Sequence, residues 1–594
     1  MFPISYVTPV HDIQFVLHDL LGAGGALQAL APASGITRPD IDGLMQELAE
    51  FAETTLAPLN TVGDQVGCSL NGAEVATPPG FKEAYSAFCE RGWAGLTASE
   101  DHGGRALPTV VANLVTEIFG SANHSWLMYS SMSRGAYECI RANGTPEQQA
   151  RYLPWLASGR WTGSMCITEE DAGTDVGLIK TRAVAAADGS YRLSGLKRMA
   201  TNAEHDLSSN ILHLVLARIE GAPAGSKGLS LFVVPKFLPG ADGKELRNAV
   251  VCESLEDKMG IRGTPTCRMR FDGAAGELIG RPHLGLAAMF VMMNVARLGT
   301  GMQGVNQGER ALQLSRAYAR TRKQGRAANP GLNTGAQPDP LMAHADVRRM
   351  LLTQKAWVEG GRAFAYWIAL LVDCAQAHAT PEGRREATDL VALLTPVLKA
   401  FVTDNGYVCA TLGQQVLGGV GYLRESGASQ FIADVRVGQI YEGANGIQGM
   451  DLLGRKVLGD RGERLERMLA LVESSCKAAE PVGVLAPMAR ATSELAVMLR
   501  DLTKVLLPRC DQDANTVGAA AASYLRLVGH LVHAWLWLRM AERSWQEAAS
   551  SSFHRAKLAT AQFYFDHLYP EVHHLLAVAK APAGSVMGLP AEDF

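Results

Sequence analysis

Between about Trp161 and Leu284 the chain changes texture, and that change restricts the available folds more than any other feature. Short β-rich runs alternate there with glycine turns: WTGSMCITE, YRLSGLKRMATN, NILHLVLARI, GLSLFVVPK and CRMRFDG. Their spacing predicts a compact antiparallel sheet or barrel. On either side, apolar residues recur every three or four positions, the helical period. Before it lie IDGLMQELAEFAETTLAPL, FKEAYSAFCERGW and VVANLVTEIFG, separated by breakers at Pro78-Pro79 and Gly103-Gly104. Thr145 followed by Pro146 and Glu147 reads as a capped helix start. After it, the helical period returns at Leu286, is broken by a Gly/Pro/Asn-rich loop at 325–340, and resumes through Gly454. The residues from Arg455 onward read as further long helices.

At 594 residues the chain is too long for one core, and roughly three to five domains is the reasonable expectation. The predicted class is α+β and multidomain. It comprises an arm over 1–40 that ends in a loop around Pro32, Ser34 and Gly35, and a helical domain over 41–160. A β domain over 161–285, a helical bundle over 286–455 and a helical extension over 456–594 follow. A net charge of -4 gives no electrostatic case for nucleic acid or an anionic membrane. Ten cysteines without a CxxC pair, and histidines without HExxH spacing, suggest neither metal site nor disulfide framework. The first twenty residues lack a basic start and carry His11, Asp12 and Asp19, unlike a signal peptide. The apolar run 521–541 is interrupted by Arg526, His530, His533 and Arg539, so it reads as a core helix and not a membrane span. A cytoplasmic protein is expected.

Chemistry concentrates in a few stretches. In QIYEGANGIQG a carboxylate, Glu442, sits between a strand-like lead-in (Val437, Ile440, Tyr441) and glycines at 443, 446 and 449. Glycine permits sharp turns and close backbone approach, so the loop could hold Glu442 against a flat ligand; taken alone, it reads first as a solvated loop or N-cap carboxylate. In CITEEDAGTD, Thr168 and Thr174 supply hydroxyls and Gly173 allows backbone N–H groups to face a ligand. Acids at 169, 170, 171 and 175 suit a neutral ring better than a bare phosphate, and a plain polar turn is the alternative. Met199 to Asn202 ends another strand and offers the Thr201 hydroxyl. Arg316, Arg320, Arg322, Lys323 and Arg326 form a basic cluster suited to a diphosphate, or simply a basic helix end. QQVLGGVGY at 414–422 is glycine-dense without being a dinucleotide fingerprint.

Together and in this order, CITEEDAGTD, MATNAEHD, KMGIRGTPT with RMRFDG, QQVLGGVGY and IYEGANGIQ resemble the acyl-CoA dehydrogenases. The similarity runs from about residue 40 to 457. The arm, the 325–340 loop, HADVRRMLLTQKAWVEGGRAFAYW and the extension are similar to one long branch of that family. The resemblance implies an N-terminal α-helical domain, a β domain, a second α bundle and bound FAD. It implies α,β-dehydrogenation of an acyl-CoA thioester to a trans-2-enoyl-CoA, with 3-methylthiopropanoyl-CoA or a short-to-medium fatty acyl-CoA as substrate.

Glu442 then matches the base that removes the α-proton, the β-hydride passing to flavin N5. Some relatives place the base just before a CoA-contacting arginine; here that arginine matches Arg297 and the preceding residue is Ala296. Ile167, Thr168, Gly173, Thr174 and Thr201 match cofactor contacts, as do Arg322 or Arg326 with Gln414, Gly418 and Gly419 at the diphosphate and adenosine. Thr174, Asn294, Arg297, Tyr441 and Gly443 match substrate contacts. The family's usual TEPxAGSD is TEEDAGTD here, and Ala444 and Gly446 replace a threonine and a glutamine at cofactor positions. An electron-transferring flavoprotein as acceptor and a homodimer are further expectations. An acyl-CoA oxidase, or a non-catalytic flavin- or acyl-CoA-binding protein, is the alternative.

Overall fold

The computed structural model describes residues 5–30, 35–239, 245–333, 335 and 337–594; the turn expected at Pro32 and Ser34 lies outside them. The chain forms two compact units, Glu47–Gly299 and a second made of Met1–Gln46 with Thr300–Phe594.

In the first unit, helices α1 (Thr109–Ala122), α2 (His124–Asn143) and α3 (Pro146–Ala157) precede the sheet. The start of α3 is the expected cap: Gln148 N–H donates to Thr145 Oγ1, and the Thr145 N–H donates back to Gln148 Oε1 at 3.0 Å. Phe51, Phe88, Trp93, Phe119 and Trp126 form an aromatic core, with Phe88 edge-on to Trp126 at 5.5 Å.

Seven strands form the sheet that follows: β1 (Trp161–Cys166), β2 (Arg182–Ala185), β3 (Tyr191–Thr201), β4 (Asn210–Ile219), β5 (Leu229–Pro235), β6 (Val250–Leu255) and β7 (Thr266–Ile279). Their order is β6-β7-β3-β2-β4-β1, and β5 pairs with both β7 and β4, so five strands close into a ring. The sheet is mixed and not purely antiparallel, because β4 runs parallel to both β1 and β2. Alternation of apolar residues fixes which face a strand buries but not its direction. The β4 run is buried on both faces: Leu212, Leu214 and Leu216 pack toward α2, whereas Val215 and Ala217 join Phe232 and Phe271 on the opposite face. Strand β1 lies against α2 so closely that a Cβ on Gly163 would overlap the Ala136 Cβ.

Helix α4 (Gly285–Thr321) begins in the first unit and continues into the second. By length and composition it is the one helix among the described residues apolar enough to cross a membrane. The second unit adds α5 (Ala345–Ala377), α6 (Pro381–Leu417), α7 (Ala428–Arg436) and α8 (Asn445–Met450). The extension supplies α9 (Glu463–Ala479), α10 (Ala486–Gln512), α11 (Asn515–Ser544), α12 (Ser552–Phe563) and α13 (Glu571–Ala579). Most of α11, including 527–538, is buried, as expected of a core helix. Helices α4 and α6 run alongside each other in parallel. A Cβ on Gly301 would stand 2.7 Å from Leu398 Cγ, one on Gly406 2.5 Å from the Gly304 oxygen, and one on Gly413 3.0 Å from Ala311 Cβ. Asp12 of the N-terminal segment accepts from Lys557 Nζ of α12 at 2.6 Å, and Glu359 of α5 accepts from the same ammonium at 2.7 Å.

The β1–α2 contact predicts that Gly163→Ala overpacks the first unit and destabilises it by about 1–3 kcal/mol. The check is a lower urea midpoint at unchanged slope.

Candidate active site

The chain reaches Glu442 along α7, which runs on through a helical turn at Val437–Gln439. The Ile440 and Tyr441 N–H groups both donate to the Val437 carbonyl, at 2.9 and 3.0 Å. The lead-in expected to be strand-like is therefore helical: without a partner strand, β-favouring side chains do not outweigh hydrogen bonds that continue a helix. At Glu442 the backbone turns left-handed, φ +56°, and Gly443 follows at +83°. For a residue with a Cβ that conformation costs about 1–2 kcal/mol, so its surroundings must impose it.

They do so through hydrogen bonds from α6 and α8, with Gln303 of α4 holding the adjoining Tyr441. Lys399 of α6 is fully buried, and its ammonium donates to the Gly443 carbonyl and to Asn445 Oδ1, both at 2.8 Å. Gln448 Nε2 donates to the carbonyls of Glu442 and Gly443, both at 3.1 Å. Asn445 Nδ2 donates to Asp404 Oδ1 at 2.7 Å and to Thr403 Oγ1 at 3.0 Å. Gln439 Nε2 reaches the same Asp404 oxygen at 2.6 Å. Tyr441 donates its hydroxyl to Gln303 Oε1 at 2.7 Å. Burial, and then the neighbouring Glu442 charge, push the Tyr441 phenol above its ordinary range. Ala444 is the N-cap of α8 without a side-chain cap bond, and Gly446 is exposed with open space beside it.

Lys399, Thr403, Asp404 and Asn445 were not among the residues picked out from sequence. A signal existed: VLKAFVTDN sets a lysine and an aspartate inside an apolar helical run, where buried charge needs a reason.

In the β unit, Ile167 and Thr168 leave β1 alongside β3. Lys197 Nζ donates to the Ile167 carbonyl at 3.0 Å, and the Arg198 N–H to that of Thr168 at 2.8 Å. Thr201 closes β3, its carbonyl accepting from Ser164 Oγ at 2.9 Å. The acids of this loop do not form an acidic lining. Glu169 accepts from Lys197 Nζ at 2.8 Å and from the Lys180 and Thr181 N–H groups at 2.6 and 3.0 Å. Burial works against its ionisation, yet Lys197 and these donors hold Glu169 below the ordinary carboxylate range. Glu170 pairs with Arg198 and Asp171 with Lys180, at 2.8 and 2.7 Å. Gly173 and Thr174 remain exposed at the loop tip. Next to Thr201, Asn202 is also left-handed, φ +54°. It is 1% exposed, and neither amide atom has a hydrogen-bond partner. A buried donor and acceptor left together suit a ring bearing carbonyl and N–H edges.

Asn294 and Arg297 lie one turn apart on α4, Arg297 Nη1 3.5 Å from Asn294 Oδ1. In the second unit, Arg322 and Arg326 are exposed just beyond the end of α4. Gln414 spends an amide N–H on its own turn, donating to the Gly421 carbonyl at 3.1 Å. Gly418, at φ +61°, and Gly419 are exposed with open space around them. The parallel run of α4 and α6 sets Arg322 and Gly418 at the same end of that packing.

Four family models match the chain. They are the acyl-CoA dehydrogenase N-terminal domain over 39–160, its middle domain over 164–274, its C-terminal domain over 283–458, and an acetyl-CoA dehydrogenase C-terminal-like domain over 466–590. The chain is 39% identical to the 3-methylmercaptopropionyl-CoA dehydrogenase of Ruegeria pomeroyi, over 96% of this chain and 97% of that one. It is 31% identical to a broad-specificity linear acyl-CoA dehydrogenase of Mycobacterium tuberculosis, over 99% and 100%. An acyl-CoA dehydrogenase from Bacillus anthracis, solved in complex with FAD, shares the fold with a TM-score of 0.75 at 20% identity, over 95% of this chain and 92% of that one.

The bonds from Lys399 predict that Lys399→Met loosens the Glu442 turn and lowers stability by about 1.5–3 kcal/mol, the worth of hydrogen bonds from a charged donor. Denaturant unfolding of the FAD-free chain checks this.

Proposed function

The chain belongs to the acyl-CoA dehydrogenase family and is an FAD-dependent oxidoreductase acting on acyl-CoA thioesters, and from that premise we propose that Glu442 is its catalytic base. The observation that carries this reading is the left-handed turn at Glu442, a strained conformation held by side chains of α6 and α8. Strain of that kind persists where the surroundings over-determine it, and it clusters at working sites.

An α-proton of a thioester is only weakly acidic, so its removal requires a positioned carboxylate and donors aimed at the oxygen where negative charge develops. Glu442 takes the proton, and its backbone N–H is the proposed protein donor to that oxygen. Lys399 and Gln448 keep the base in place through the Glu442 and Gly443 carbonyls. Tyr441 and Gly443 flank the acyl group, and Asn294 and Arg297 bind the CoA portion, with Thr174 near the reacting carbons. FAD, when bound, supplies the hydride acceptor.

Ile167, Thr168, Gly173 and Thr201 hold the flavin edges, and the unpartnered amide of Asn202 fits the same role. Arg322 or Arg326, with Gln414, Gly418 and Gly419, hold the diphosphate and adenosine; Ala444 and Gly446 give a looser contact than a threonine and a glutamine would. The proposed substrate is 3-methylthiopropanoyl-CoA or a short-to-medium straight acyl-CoA, supported by the names and full-length coverage of the two relatives. The proposed acceptor is an electron-transferring flavoprotein, and the proposed working form is a cytoplasmic homodimer.

Glu442→Gln is expected to retain FAD and to lose dehydrogenation by at least about a hundredfold, the scale of a lost general base. Anaerobic addition of an acyl-CoA panel then bleaches the flavin band of the wild type and not of the variant. Near wild-type turnover in the variant removes Glu442 from the mechanism, and a panel in which only long chains bleach the flavin removes the substrate proposal.

A further inference from the structure

The reaction as proposed uses nothing beyond residue 450, yet the extension touches both helices that hold the Glu442 turn. The first contact is on α8. A Cβ on Gly449 would stand 2.9 Å from the Ala521 carbonyl oxygen and 3.0 Å from its carbon, so α8 and α11 meet backbone to backbone. Further along, a Cβ on Gly454 would stand 3.3 Å from Val517 Cγ1, and one on Gly518 3.9 Å from Met450 Sδ.

The second contact is on α6. Residues four apart share a helix face, and Lys399 and Thr403 both bond toward the turn. Phe401 and Asn405, offset from them, are held by α11 instead. Arg526 Nη1 donates to Asn405 Oδ1 at 3.3 Å, and its guanidinium lies 5.3 Å from the centre of the Phe401 ring. Gly529 leaves room for that ring, since a Cβ there would stand 2.8 Å from Phe401 Cε2. Arg526 is itself anchored: Glu571 of α13 takes both of its other nitrogens, at 2.5 and 2.7 Å, and also contacts His530 Nε2 at 3.1 Å. Burial opposes ionisation of Glu571, but His530 and Arg526 bring its carboxyl down to about 2.

We infer that α11 of the C-terminal extension is a positioning element of the catalytic site: by gripping α8 at Gly449 and α6 at Phe401 and Asn405, it sets where Glu442 stands. This rests on the reading of Glu442 as the base. A helix that merely covered the bundle would need apolar contact only. This one meets α8 where a methyl group has no room, and it reaches α6 with an arginine fixed on its far side.

The test is Gly449→Ala in the FAD-loaded full chain, measured with the acyl-CoA that bleaches the wild-type flavin. The added methyl meets the Ala521 carbonyl and displaces α8. kcat is expected to fall at least about tenfold, the scale of a sub-ångström to ångström misplacement of a catalytic group, while KM and flavin content stay within about twofold. Amide hydrogen exchange over residues 442–448 is expected to rise. Ala489→Val, which crowds the buried Ala489 of α10 within the extension, serves as the packing control and is expected to leave kcat unchanged. Should Gly449→Ala fail to fold, Arg526→Lys replaces the fork with a point charge, and the same kcat-against-KM split is expected at smaller size. A kcat within twofold of wild type in the folded variant, or an equal loss in the Ala489→Val control, overturns the inference. Exchange over 442–448 does not depend on what Glu442 does chemically. Activity in Glu442→Gln with raised exchange in Gly449→Ala therefore rejects the base and keeps the positioning, whereas unchanged exchange rejects the positioning by itself.

Discussion

The close approach of α4 and α6 is the contact on which the candidate base site depends. Gly301, Gly304 and Gly308 on one helix, and Gly406 and Gly413 on the other, let the two pack closely, backbone to backbone where Gly304 meets Gly406. That spacing sets Gln303 of α4 against Tyr441 and lets α6 carry Lys399, Thr403 and Asp404 under the Glu442 turn. A larger residue in this seam would push the helices apart, and every hydrogen bond at the turn would lengthen together. Gly301, Gly304 and Gly308, which look like poor helix formers, are thus explained by packing and not by turns.

Much of the fold was readable because it rests on local pattern. The helical period on either side of a strand-rich island, the Thr145 cap and the buried character of α11 all follow from neighbours within a few residues. What escaped the reading depends on residues far apart in the chain. Strand β4 pairs in parallel with β1 across some fifty residues, and nothing in NILHLVLARI announces a direction. In sequence the acids of TEED read as a lining, but Glu169, Glu170 and Asp171 are taken up by Lys197, Arg198 and Lys180. Glu442 itself stood out because glycines surround it. Its support did not, because Lys399 and Asn445 meet across 46 positions.

Electrostatics and strain are distributed in the same way in both units. Buried charges come with partners: Lys197 with Glu169, Lys236 with Glu204, Arg362 with Glu309, Lys557 with Asp12 and Glu359. Removing one member of such a pair leaves the other stranded, so these pairs tolerate substitution poorly without taking part in chemistry. Among the left-handed residues other than glycine are Met199 and Asn202 in the first unit and Glu442 in the second. Both groups sit at the ends of well-packed elements, β3 and α7, where a rigid neighbour can impose an unfavourable backbone.

The bond between Asp12 and Lys557 joins positions 545 residues apart, and the second unit draws on both ends of the chain, with the whole first unit inserted between. On a ribosome this imposes a schedule. At ordinary elongation rates, roughly half a minute to two minutes pass between the synthesis of the two residues. During that time Glu47–Gly299 has all of its own sequence and is able to fold, while the N-terminal segment has no ammonium to meet. Its half-buried Asp12, together with the buried Phe15, Val16 and Leu17, waits in the nascent chain until α12 has been made. Protein production is then most exposed to aggregation in that interval, and slower translation of the extension lengthens it.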